Sequence, residues 1–243
     1  MVRGLEVFRE YFRDYTDQYV IIGGCACDLL FDEAGLEFRA TKDIDMVLII
    51  EALTPEFGES FWNFIHRGGY RHINTTTDTP QYYRFDKPTD TNFPVMIELF
   101  SRTNVLTIPP TTPIIPIHID DSLSSLSAIL LDEDYYQLLI NGRYTVDGTM
   151  ILMPEALIAL KAKAFLDFKK RGEEKKAKKH LKDVIRLAEL LSGSERPDLP
   201  ESVKKDMESF MEQYSDSSHD PSQLKVTITR EVFTSLMHNI FQL

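Results

Sequence analysis

Residues Tyr19–Ile50 read YVIIGGCACDLLFDEAGLEFRATKDIDMVLII. An apolar run stops at Gly23-Gly24, and after 18 intervening residues Asp43 and Asp45 flank Ile44 at the head of a second apolar run. In a strand, residues two apart share a face, so the two aspartates project together while Ile44 points to the opposite side. Two adjacent carboxylates repel each other. A divalent cation relieves that repulsion, and hard oxygen ligands suit Mg²⁺. The glycine pair lies between a predicted strand and a predicted helix. There, missing Cβ atoms let backbone N–H groups approach a phosphate, and the helix N-terminus favours an anion.

Working outward, apolar Leu5, Phe8, Tyr11 and Phe12 recur at helical spacing before the strand QYVIIGG. CACDLLFDEAGL reads as a short helix closed near Gly35, and DIDMVLII as a strand. Phe57, Phe61, Trp62 and Ile65 predict a further helix that stops at Gly68-Gly69. QYYRFDK and PVMIELFS are the next strands, the second carrying Glu98 between Ile97 and Leu99. Glu98 is the candidate third acid of a cluster able to hold metal ions and activate an attacking hydroxyl.

The Pro-rich LTIPPTTPIIPIHIDD predicts an extended connection or edge element, since proline donates no ladder hydrogen bond. Asn141-Gly142 between apolar runs predicts a hairpin turn. Strands alternating with helices imply a mixed sheet with helices packed on it, an α+β fold, followed from Pro154 by a mainly helical region. The expected division is residues 1–150 and 151–243. Residues 193–223 read as linker-like with one weak helix, and KVTITREVFTSLMHNIFQL as a closing segment that docks.

Composition bounds the function. The chain has 243 residues, a net charge of −11 and 43% hydrophobic residues. No apolar stretch approaches the ~18 residues of a membrane span, and the N-terminal residues are charged throughout, which predicts a soluble, cytoplasmic protein with no membrane partner. Cys25 and Cys27 sit too close together for a disulfide framework and lack the further ligands of a zinc site, so they read as small packing residues. The negative balance opposes wrapping of nucleic acid by the whole surface. One segment runs against it: Lys161 to Lys182 holds ten Lys or Arg against three acids. That segment reads either as a local site for triphosphate or RNA, or as a solvated helix surface. His180 within it reads as structural.

Taken together, the glycine pair, the short helix, the Asp-x-Asp strand and the later acid resemble the nucleotidyltransferase superfamily with the DNA polymerase β type fold. The segment Arg39, Thr41, Asp43, Ile44, Asp45 is similar to the AbiEii branch of toxin-like nucleotidyltransferases. PEALIALKAKAFLDF and KKHLKDVIRLAELL resemble the helices downstream in that branch. The resemblance implies transfer of a nucleoside monophosphate from an NTP to an acceptor hydroxyl, with Mg²⁺ or Mn²⁺ as cofactor. Asp43, Asp45 and Glu98 would be the catalytic, metal-binding acids. Gly23, Gly24 and Thr41 would hold the nucleotide, together with Lys161 or Lys163 and with Asp183. The acceptor would be RNA or protein, and a toxin role would bring an antitoxin partner. The alternatives are a small-molecule, antibiotic-modifying transferase and a catalytically inactive nucleotide-binding protein. Two departures stand out: the gap between Gly24 and Asp43 is several residues longer than the pattern, with DEAGLEF reading as an inserted turn, and the third acid is Glu where Asp is usual.

Overall fold

The computed structural model describes residues 2–71, 84–101, 106–108, 112–114, 132–215, 221–224 and 226–243. They fall into two compact units, Met1–Ser127 with Arg143–Leu152, and Ala128–Gly142 with Met153–Leu243.

The first unit is built on a six-stranded mixed sheet. Its strands are β1 (Tyr19–Ile22), β2 (Asp43–Leu48), β3 (Arg84–Asp86), β4 (Met96–Phe100), β7 (Arg143–Val146) and β8 (Thr149–Leu152), in the order β3-β4-β2-β1-β8-β7. β1 runs antiparallel to β2 and parallel to β8, while β2 runs parallel to β4. β5 (Leu106–Ile108) and β6 (Thr112–Ile114) pair with each other in the Pro-rich stretch, whose remainder lies outside the described residues.

The pleat sorts side chains by chemistry. Ile44, Met46 and Leu48 of β2, Ile97 and Leu99 of β4, and Phe85 of β3 fall on one face and are fully buried. Helices α1 (Leu5–Phe12) and α3 (Pro55–Gly68) bring an aromatic cluster to this face. Phe12 sits at the centre of the cluster, with ring centroids 4.6 Å from Phe8, 5.3 Å from Phe64, 5.6 Å from Phe57 and 6.2 Å from Tyr19. α3 starts where Thr54 Oγ1 accepts from Phe57 N–H, with Pro55 at the first turn, and stops at Gly69 in the left-handed region. Between β1 and β2 lies α2 (Gly23–Glu33), closed by Gly35 at φ 69° as the sequence predicts. Cys25 and Cys27 are buried in α2 as packing residues. Burial pushes the Cys25 thiol up, and the neighbouring Asp45 and Asp28 carboxylates add to that.

The second unit holds α4 (Glu133–Asn141), α5 (Pro154–Lys170), α6 (Glu174–Leu187), α7 (Glu201–Ser215) and α8 (Arg230–Phe241). Two expectations are corrected here. The hairpin turn is not at Asn141-Gly142 but at Asp147-Gly148 between β7 and β8, where both residues have positive φ, 46° and 73°. That conformation suits a two-residue turn between twisted strands. Asn141 instead ends α4, because Tyr135, Tyr136, Leu138 and Leu139 bury at helical spacing and Asp132 caps the first turn. The one weak helix read within the linker-like span is the 15-residue α7, longer and better packed than a linker implies, with Val203, Met207, Phe210, Met211 and Tyr214 buried along one stripe.

Replacing Phe12 by Ala removes the hub of the aromatic cluster. Urea denaturation of the full chain is expected to show a loss of ~3–5 kcal/mol for F12A.

Candidate functional site

β1 delivers the site. Ile22, its last residue, is the register partner of Asp45, and the chain enters α2 at the next residue without a side-chain cap. Gly23 adopts φ 70°, and a Cβ on it would lie 2.0 Å from Asp45 Oδ2. Gly24 turns toward the segment leading into β2, where an added Cβ would meet Thr41 Oγ1 at 2.7 Å and Arg39 Nη2 at 3.6 Å. The long gap therefore does not part the glycines from the acids. Its extra residues are absorbed by the end of α2, the Gly35 turn and an extended return, with Phe38 packed 5.0 Å from Phe31 and Arg39 lying over Phe38.

The acids lie on the sheet face opposite the aromatic cluster. Asp45 and Glu98 are direct register partners on parallel β2 and β4, and Asp43 is one pleat further along the same face. Adjacent strands lie about 4.8 Å apart, so Asp45 and Glu98 are lateral neighbours. Both aspartates are half-buried. Glu98 is the more enclosed, with its side chain 12% exposed, and it is engaged by a residue to which the sequence reading assigned no role. Arg84 on β3 is the register partner of Glu98, its Nε donates to Glu98 Oε1 at 2.6 Å, and its Nη2 reaches the same oxygen. Charge-assisted bonds of this kind are roughly twice as strong as neutral ones. No signal in the linear sequence joins Arg84 to Glu98, because their adjacency is a matter of β3–β4 register. Two residues further along β3, Asp86 pairs with Arg71 at 3.2 Å.

These residues fit a hard cation in part. Asp43 and Asp45 offer the carboxylate oxygens that Mg²⁺ prefers. The first claim on Glu98 is that of Arg84. Among the described residues, no three or more His, Cys, Asp or Glu side chains gather as a metal centre.

The remaining predicted residues lie in the second unit. Lys161 on α5 is 6% exposed and Asp183 on α6 is 1% exposed; Lys161 Nζ donates to Asp183 Oδ2 at 2.9 Å, a buried ion pair joining the two helices. Lys163 Nζ reaches Asp206 at 3.1 Å and Asp167 at 3.8 Å, and Asp206 also accepts from Tyr135 Oη. His180 stacks on Phe168 at 5.4 Å, a packing role. The rest of the basic segment faces solvent. Lys175, Lys178, Lys179 and Lys182 form one exposed stripe along α6 and pair with no carboxylate among the described residues, whereas Lys176 is held by Glu173.

No family model matches the chain, and no curated protein matches it. Among solved structures, it is similar to an antigenic nucleotidyltransferase-like protein from Paracoccidioides brasiliensis, with 18% identity and a TM-score of 0.49 over 96% of this chain and 98% of that one. In addition, no helix among the described residues is long and apolar enough to cross a membrane.

Two stability measurements check these placements. Gly23→Ala is expected to cost at least ~1–2 kcal/mol from the left-handed backbone alone, with the contact to Asp45 adding to it. Asp45→Ala in the same chain should recover the contact part and leave the backbone part. Lys161→Met strands a buried carboxylate and is expected to cost ~3–5 kcal/mol in chemical denaturation, most of which Lys161→Met with Asp183→Leu should restore.

Proposed function

We propose that the chain is a metal-dependent nucleotidyltransferase that moves a nucleoside monophosphate from an NTP to an acceptor hydroxyl. The observation that carries this reading is the close approach of Gly23 to Asp45: the glycine backbone that opens α2 and the aspartate strand meet at one point of the sheet. In the reaction, the acceptor hydroxyl gives up its proton to water, its oxygen attacks the α-phosphorus, the bond from that phosphorus to the bridging oxygen breaks, and pyrophosphate leaves with the negative charge. Asp43 and Asp45 would hold Mg²⁺ or Mn²⁺, which supplies Lewis-acid polarisation of the phosphate and lowers the pKa of a bound hydroxyl.

The other parts follow from the chain itself. Backbone N–H groups at Gly23 and Gly24, at the uncapped start of α2, would bind the outer phosphates. Thr41 Oγ1 and the Arg39 guanidinium, both close to Gly24, would orient them. In the second unit Lys161 and Asp183 are paired with each other and Lys163 is held by Asp206 and Asp167, so phosphate charge in this reading falls to Arg39 and the backbone.

RNA is the acceptor class we favour. The exposed stripe of Lys175, Lys178, Lys179 and Lys182 offers about two cations per helical turn, on a chain whose remaining residues carry the whole negative excess. A toxin role with an antitoxin partner rests on the resemblance of the Arg39–Asp45 segment. The competing reading is a nucleotide-binding protein without transfer activity, and it draws on the Arg84–Glu98 pair, which occupies the third acid.

Incubation with each labelled NTP, Mg²⁺ and either total tRNA or a panel of small-molecule hydroxyl acceptors separates these readings. Label is expected on RNA, reduced more than ~100-fold by Asp45→Asn with the fold retained. Label on a small molecule alone would move the acceptor class. Bound NTP with no label on any acceptor supports the inactive reading, and activity retained in D45N rules out this site.

A further inference from the structure

The solvent face of α6 carries one sign of charge. Lys175, Lys178, Lys179 and Lys182 stand at i, i+3, i+4 and i+7, so they share a stripe about 10 Å long, turned away from the buried Ala177, Leu181, Val184 and Ile185. Glu173 is held by Lys176, and Asp183 is turned inward to Lys161, so neither interrupts the stripe. Glu174, at the first residue of the helix, forms no ion pair with any of the four.

Such an arrangement destabilises the helix that carries it. Like charges three and four residues apart repel, and here Lys175 faces Lys178 and Lys179, which in turn both face Lys182. Elsewhere the chain interleaves acids on its exposed helix faces, pairing Glu201 with Lys205 on α7 at 3.7 Å and Glu6 with Arg9 on α1 at 2.7 Å. A face that served only to meet water would do the same. An unrelieved row of cations is matched instead to a row of anions.

The makeup of the stripe selects among anionic partners. A membrane-surface helix needs an apolar face beside its cations. Among the described residues, the large apolar side chains left exposed are Leu36, Tyr144 and Val232, none of them on α6. A protein interface is anchored by aromatic residues and Arg, with Lys depleted, whereas this stripe is lysine alone. Base readout draws chiefly on Arg, Asn, Gln and stacking aromatic side chains, which the stripe also lacks. A line of ammonium charges fits a strand of phosphodiesters, whose charges lie about 3.4 Å apart along the axis.

We propose that the lysine stripe of α6 is a docking surface for the phosphodiester backbone of a nucleic acid, read by charge and not by base sequence. Docking of this kind needs no NTP, metal ion or transfer step. Under the transferase reading it holds the RNA acceptor, yet the two stand or fall separately.

Fluorescence anisotropy of short labelled oligonucleotides, without nucleotide or divalent ion, tests this on the full chain. The arms are duplex RNA, duplex DNA and single strands of unrelated sequence, with anionic phospholipid vesicles alongside. Four phosphate contacts predict a slope of log affinity against log salt of about −3.6 on a duplex and about −2.8 on a single strand, with unrelated sequences within about threefold. Each Lys→Gln substitution should reduce that slope by about one. K175Q, K178Q, K179Q and K182Q combined should abolish binding, while Arg at the same four positions retains it; Gln and Arg match Lys in helix propensity, so the fold is kept. Binding to RNA, to DNA or to both supports the surface and identifies the strand it takes. No binding by the wild-type chain, affinity unchanged in the fourfold Gln variant, a difference above about tenfold between sequences, or capture by vesicles and not by oligonucleotides would overturn it. Charge-dependent binding with no label transferred to any acceptor keeps the surface and removes the transferase reading. Transfer to RNA by the fourfold Gln variant at the wild-type rate keeps the transferase and removes the surface.

Discussion

The antiparallel pairing of β1 with β2 is the constraint on which the candidate site depends. It sets Ile22 opposite Asp45, so the residue after Ile22 must pass directly over that carboxylate. Only a residue without a Cβ, free to take φ 70°, fits there. The same pairing buries Tyr19 and Ile21 toward the aromatic cluster on the other face, so the hydrophobic energy that secures the register also secures the approach of backbone to acid. A one-residue slip would turn the aspartates into that cluster and expose Ile44 and Met46. The cost of burying two unpaired carboxylates there makes this slip prohibitive.

Charge is handled differently in the two units. In the first, like charges are placed side by side on one face and balanced locally, with Arg84 on Glu98 and Arg71 on Asp86. In the second, Lys161 and Asp183 are taken out of water as a pair, and Lys163 bridges Asp206 and Asp167. Burial raises Asp167 above the ordinary carboxyl range and the repulsion of Asp206 adds to that, while Lys163 pulls it back. The α6 stripe stays in water, where solvent carries the cost. A lysine in a basic run thus belongs to one of two populations, and burial separates them.

The strands carrying Asp43, Asp45 and Glu98, and the helix opened by Gly23-Gly24, are legible because alternation and glycine punctuation are local signals. The same logic explains the misplaced turn: Asn141-Gly142 and Asp147-Gly148 are equivalent turn dipeptides, and only the burial of α4 against its neighbours decides between them. Helix α7 reads only as a weak helix for a related reason, since its apolar stripe lies among ten polar or charged residues whose exposure is known only once the stripe has a partner. Lys161 and Lys163 share a helix and a composition, yet only packing assigns one to a buried pair and the other to a half-exposed network.

By itself, the sequence determined which residues carry the chemistry: two aspartates at a period of two, a glutamate isolated in an apolar strand, and a glycine pair at a strand-to-helix junction. These follow from backbone periodicity, which acts over a few residues. Tertiary structure decided which of them meet. That Gly23 touches Asp45 across the 18-residue gap, and that Glu98 stands between Asp45 on one side and Arg84 on the other, are consequences of strand register. Register is set by the summed burial of whole strands, an energy that no short stretch of sequence contains.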